Sequence, residues 1–183
     1  LLVMPEEPGS LLHNSAEVAV AEQMRYGDSL GLPWGISESA YYATDAALNW
    51  QYRAFGVPGL GLNRNLADDP VVAPYASALA LLVRPVAALL NLRRLEALGA
   101  SGRYGFHEAV DFTTARLPIG ERHVVIPSWM AHHQGMALLA CAHVLLEAPM
   151  QRRFLADRRL QAHQLLLQER PVVGGDIDIL GPV

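Results

Sequence analysis

Trp34-Gly35-Ile36-Ser37-Glu38-Ser39-Ala40-Tyr41-Tyr42 gathers one carboxylate, two serine hydroxyls and three aromatic rings within nine residues. It follows a breaker, Gly31-Leu32-Pro33, and leads into a run that reads as an amphipathic helix from Ser37 to about Arg53. On that reading Ser37 caps the helix, Glu38 sits at its positive end and the rings are core. The same residues also suit a sugar site, where a carboxylate moves protons or attacks carbon and rings stack on pyranose faces.

Working outward, Asn14-x-x-Glu17 resembles a capping box, and a helix is expected from there to about Asp28. Residues 55–64 are rich in Gly and Pro and read as a loop. Its glycines are not a phosphate cradle, because no strand precedes them and no Lys follows. Asp68-Asp69-Pro70 is a helix-start signal, with Pro74 as a later alternative. Apolar residues then run to Val83, Arg84-Pro85 breaks them, and a second helix is expected over Val86 to Leu98, capped by Gly99. These two form an αα-hairpin. Residues 100–127 mix β-branched, aromatic and polar side chains without a helical period, which predicts a loop with short strands. Ser128 is expected to cap a helix to about Glu147, and a last helical stretch runs from Met150 to about Gln168, with a break near Asp157. The sum is about six helices in successive pairs. The expected fold is all-α, with helical hairpins forming part of an α/α toroid and an irregular or β segment near residues 103–125. Residues 1–171 make up the domain portion, and residues 172–183 read as a linker.

The chain has 183 residues, a net charge of −4 and only 17% charged residues against 51% hydrophobic ones. So apolar a surface is expected to pack against something else. Without a basic excess, nucleic acid is not an expected partner. Cys141 is the sole cysteine, so no internal disulfide framework exists. Arg84, Arg93 and Arg94 interrupt the longest apolar stretch before it reaches membrane-spanning length.

Six motifs in order resemble one family. They are residues 33–41 (Pro-Trp-Gly-Ile-Ser-Glu-Ser-Ala-Tyr), residues 55–62 (Phe-Gly-Val-Pro-Gly-Leu-Gly-Leu), Val72-Ala73-Pro74-Tyr75-Ala76, residues 104–113 (Tyr-Gly-Phe-His-Glu-Ala-Val-Asp-Phe-Thr), Met130-Ala131-His132-His133-Gln134-Gly135-Met136 and Leu167-Gln168-Glu169-Arg170. Together they are similar to the glucoamylase-like domain of bacterial cyclic β-1,2-glucan synthases, which is related to endo-β-1,2-glucanases. The resemblance implies an (α/α)6 barrel whose cleft takes β-1,2-glucan oligosaccharides and rearranges or cyclises them by transglycosylation, with no cofactor. It implies about half of such a barrel here, with preceding helices and the other domains of a parent synthase as partners. It also implies a cytoplasmic, soluble domain of an inner-membrane protein. A fragment of that kind is expected to self-associate and to be poorly active alone.

Retaining glycosyl transfer needs two carboxyl groups about 5–5.5 Å apart. Glu38 and Glu108 are the expected catalytic pair. Hydroxyls beside Glu38 suit a nucleophile, whereas Phe106, Val110, Phe112 and the charge of Asp111 around Glu108 suit a general acid; the roles can also be exchanged. Asp111 either tunes Glu108 or caps a turn. His132 and His133 lack metal-site spacing, so no metal is expected. One of them, with Gln134, is assigned to sugar hydroxyls, and the other to packing. Trp34, Tyr41, Tyr75, Tyr104 and Trp129 are candidate stacking rings, about half of them facing the cleft. Arg64, Arg116 and Asp111 complete the substrate-binding set. Two alternatives to the transglycosylase stay open: an endo-β-1,2-glucanase-type hydrolase, and a non-catalytic glucan-binding module that keeps the groove without turnover.

Overall fold

The computed structural model describes residues 1–61 and 69–164. Arg64, the Leu167–Arg170 motif and the 172–183 linker lie outside them.

Helix α1 (Leu11–Leu30) starts earlier than the Asn14 box suggests. Ser10 is its N-cap, its side chain accepting from the His13 amide at 3.1 Å, and Gly31 closes it in a left-handed conformation at φ 67°.

The segment after Glu38 is not a helix. It forms a hairpin of β1 (Ser39–Thr44) and β2 (Trp50–Arg53), in which Ala40 faces Tyr52 and Tyr41 faces Gln51. The physical reason lies in its ends. Tyr41, Tyr42, Thr44, Trp50 and Tyr52 favour extended backbone, and Asp45 closes the turn. Its carboxylate accepts from the amides of Ala47 (2.8 Å) and Asn49 (2.9 Å), and Leu48 takes φ 64°.

β3 (Val71–Val72) follows, then α2 (Pro74–Leu79), a 3-10 turn (Ala80–Leu82) and α3 (Pro85–Ala97). Pro74, not Pro70, opens α2, and Pro85 opens α3, each at a first-turn position where its missing N–H costs nothing. The expected αα-hairpin is present, since α2 packs on α3. The expected strands near 103–125 are present too: β4 (Ser101–Gly102), β5 (Gly105–Phe106), β6 (Ala109–Asp111) and β7 (Val124–Ile126). α4 (Ala131–Leu145) starts with Met130 as N-cap, so Ser128 is not its cap. α5 (Pro149–Leu155) and α6 (Arg158–Gln164) are separated at Asp157, as expected.

The described chain is therefore mixed helix and strand, and the all-α expectation is corrected. The central sheet has the order β3-β6-β7, extended by an isolated bridge from Ile36 to Val72. Its apolar side chains, Val71, Val72, Val110 and Ile126, meet Leu95 and Ala100 at the end of α3 in the main core. A second cluster joins Val20, Trp34, Ala80 and Ala88. Among the described residues, no helix is long and apolar enough to cross a membrane.

Candidate active site

The backbone that delivers Glu38 is held by three helices. From α1, Gln23 accepts from the amides of Gly35 (3.2 Å) and Ile36 (2.9 Å) and donates to the Ile36 carbonyl at 2.7 Å. From α3, Asn91 accepts from the Trp34 amide and donates to its carbonyl and to Ser77 Oγ of α2. Gly35 has φ 116°, and a Cβ there would lie 2.7 Å from Ser77 Oγ, so only glycine fits. None of these tethers was apparent in the sequence, because a Gln or Asn on a helix carries no mark of a backbone partner far along the chain.

Glu38 itself is exposed, just before β1. Glu108 is the opposite: it is 2% exposed at the entry to β6. Its Oε1 lies 2.8 Å from His133 Nδ1, and its Oε2 has no hydrogen-bond partner among the described residues. Tyr75 stacks on the His133 ring, with centroids 3.7 Å apart and planes 11° off parallel. The Tyr75 hydroxyl donates to the Glu38 carbonyl (3.2 Å) and pairs with Ser37 Oγ (2.7 Å). The Tyr52 hydroxyl is 3.5 Å from His133 Nε2 and within hydrogen-bonding reach of the Glu38 carboxylate.

Electrostatics bind these groups into one cluster. Tyr52, Tyr75 and His133 each feel the charges of both Glu38 and Glu108. Burial, and then the Glu38 charge, push the Tyr52 phenol well above its ordinary value, so it stays protonated and donates. Burial likewise pushes the Tyr75 phenol up. Burial lowers His133 despite the opposing pull of Glu108, so the ring is neutral near pH 7. Tyr52 was missed in the sequence, because the helix expected over 37–53 hid its pairing with Ala40.

Several expected substrate contacts go elsewhere. Trp34 is 5% exposed in the second core and has no free face for a sugar. Asp111 is fully buried: it accepts from the amides of Tyr42 (3.0 Å) and Thr113 (2.9 Å) and from Arg116, so the contact expected of a turn cap is present. Arg116 is occupied by Asp111, Asp69 and Thr113 Oγ1, and its guanidinium lies over the Tyr41 ring. Tyr41 meets Phe55 edge-on, 5.6 Å between centroids. Gln134 donates to the Phe106 carbonyl at 3.1 Å, fixing β5. His132 is exposed, its ring 3.9 Å from that of His133. Tyr104, 68% exposed at the β4–β5 turn, meets Trp129, 38% exposed, at 90° with centroids 5.5 Å apart; His107 lies against Trp129. Among the described residues, no three His, Cys, Asp or Glu side chains are grouped to hold a metal ion.

A small sheet packed among helices thus brings an exposed and a buried carboxylate to one aromatic cluster. Residues 12–156 match the Glycoamylase family model, described as "Putative glucoamylase", and the chain belongs to that family. It is 47% identical over 169 residues to the cyclic β-(1,2)-glucan synthase NdvB of Rhizobium meliloti (strain 1021), covering 92% of this chain. The chain spans only 6% of that relative's length. Its fold is similar to that of a β-1,2-glucanase from Parabacteroides distasonis, with a TM-score of 0.59 at 18% identity over 82% of this chain and 19% of the other. A Bacteroides caccae structure bearing the same description as the family matches with a TM-score of 0.57 at 19% identity, over 84% of this chain and 33% of the other.

Proposed function

We propose that this chain forms part of an enzyme site acting on β-1,2-glucan by glycosyl transfer with retention, with Glu38 as nucleophile and Glu108 as acid/base, in an (α/α)6 scaffold. The observation that carries the reading is the contrast between the two carboxyl groups around one cluster. Glu108 is buried, with one oxygen anchored on a neutral imidazole and the other unpartnered, which suits proton transfer. Glu38 is exposed, and the Tyr52 phenol can donate to it, which suits an anionic nucleophile.

In the first step Glu108 gives its proton to the glycosidic oxygen, the bond from that oxygen to the anomeric carbon breaks, and Glu38 forms an ester at that carbon. In the second, an acceptor hydroxyl gives its proton to Glu108 and displaces Glu38. An acceptor at the other end of the same glucan yields a ring; water yields hydrolysis. The exposed Tyr104–Trp129 corner supplies a stacking surface for the glucan. The β-1,2-glucan assignment is supported by the names of the R. meliloti and P. distasonis relatives.

The test is chemical rescue in the whole protein that carries this chain, on linear β-1,2-glucan. Glu38→Gly with azide is expected to yield a product of inverted configuration, and Glu108→Gly with azide, on a glucoside whose leaving group departs without protonation, one of retained configuration. Near-normal turnover by both Glu38→Gln and Glu108→Gln would sink the reading. Water as the sole acceptor in the wild type would move the assignment to a hydrolase.

A further inference from the structure

We propose that Tyr52 is the positioning residue for the Glu38 carboxylate: its phenol holds that carboxylate in place for attack, while Tyr75 holds the Glu38 backbone. This rests on the reading of Glu38 as nucleophile.

The need for such a residue comes from where Glu38 stands. It is exposed, and its side chain turns about several bonds, so an untethered carboxylate spends little of its time in line with an anomeric carbon. Gln23 and Asn91 fix the backbone from Trp34 to Ile36, and the Tyr75 hydroxyl donates to the Glu38 carbonyl at 3.2 Å. These contacts stop at the main chain. The Tyr52 hydroxyl is the one that reaches the carboxylate.

The hairpin puts it there. Tyr52 on β2 faces Ala40 on β1, and Glu38 lies two positions before Ala40, a diagonal that long side chains span. The Tyr52 ring is itself held, 6.2 Å from the His133 ring with planes 26° apart, and Tyr75 stacks on the same imidazole at 3.7 Å. Both hydroxyls that serve Glu38 are therefore carried by rings packed on His133, which pairs with Glu108.

The phenol has one proton and two neighbours able to accept it. His133 Nε2 lies at 3.5 Å, beyond the ordinary hydrogen-bond range, on a ring that is neutral near pH 7. Glu38, as nucleophile, is an anion, and a hydrogen bond to an anion is roughly twice as strong as one between neutral groups. The proton serves Glu38, and His133 supplies a packing face for the ring.

Mutant cycles on the whole protein that carries this chain test this, because a residue acting through Glu38 has no effect once Glu38 is gone. Tyr52→Phe removes only the hydroxyl and keeps the packed ring. On linear β-1,2-glucan it is expected to lower kcat about 30-fold and to change KM less than about threefold. In Glu38→Gly at saturating azide, adding Tyr52→Phe is expected to change the rescued rate less than about twofold. In Glu108→Gly with azide, on a glucoside whose leaving group departs without protonation, the loss of about 30-fold is expected to persist. Any other pattern overturns the proposal. A loss that vanishes in Glu108→Gly and persists in Glu38→Gly would assign the phenol to His133 and Glu108. A loss that persists in both is a general effect on the fold, and wild-type kcat in Tyr52→Phe means the carboxylate needs no such hold. Failure of the function reading shows itself separately, as near-normal turnover by Glu38→Gly without azide, and takes this proposal with it.

Discussion

Asp111 on β6 accepts the backbone N–H of Tyr42 on β1 at 3.0 Å, and so ties the strand that follows Glu108 to the strand that follows Glu38. Arg116 locks the tie by pairing with Asp111 and with Asp69. Asp111→Asn leaves the half-buried Arg116 guanidinium with Asp69 as its remaining carboxylate and is expected to lower stability by about 1–3 kcal/mol. Urea unfolding measures this. A variant of wild-type stability with weakened glucan binding would return Asp111 to the substrate.

Trp34 and Tyr104 are expected to behave oppositely. Trp34→Ala opens a cavity beside Val20, Ala80 and Ala88 and should cost about 3–5 kcal/mol. Tyr104→Ala should leave the melting temperature within about a degree, as surface substitutions do, while raising KM for glucan. Thermal melts beside glucan kinetics separate the two.

Stability should fall on acidification through His133. Its folded value lies below the ordinary imidazole value of 6.5, so below pH 6.5 the unfolded chain binds the proton first. The contribution is complete above about pH 6.5 and is lost as pH drops towards the folded value. His143, also lowered by burial, adds in the same direction. Urea midpoints from pH 7.5 to 5 should decline more steeply in the wild type than in His133→Asn. Parallel curves would remove His133 from the effect.

The chain is also expected to self-associate when studied alone. Val86, Leu89 and Leu90 on α3 and Leu138, Val144 and Leu145 on α4 are exposed. Sedimentation velocity should show concentration-dependent species, and a sharp monomer boundary at all concentrations would refute this.

What the sequence revealed followed from local chemistry. Gly31, Pro74, Pro85 and Asp157 marked element ends because breakers act where they stand. Glu38 and Glu108 stood out by their aromatic company. The hairpin over 39–53 was hidden because Ala40, Ala43, Ala46 and Ala47 imitate a helical face, while the deciding contact, Asp45 to Asn49, lies in the turn. Asp111 and Arg116 looked like ligands for sugar because nothing in their spacing shows that they hold each other. Trp34 looked like a stacking ring because burial is a property of the far side of the fold.

The tethers of Trp34–Ile36 have a consequence for the order in which the protein assembles. Their partners are 12–13, 43 and 57 residues away, on α1, α2 and α3. Each contact closes a long loop before it stabilises anything, and such pairings form late in folding. Helices can therefore be in place while Glu38 is still unplaced. In a refolding experiment on the whole protein, ellipticity should return first and turnover last.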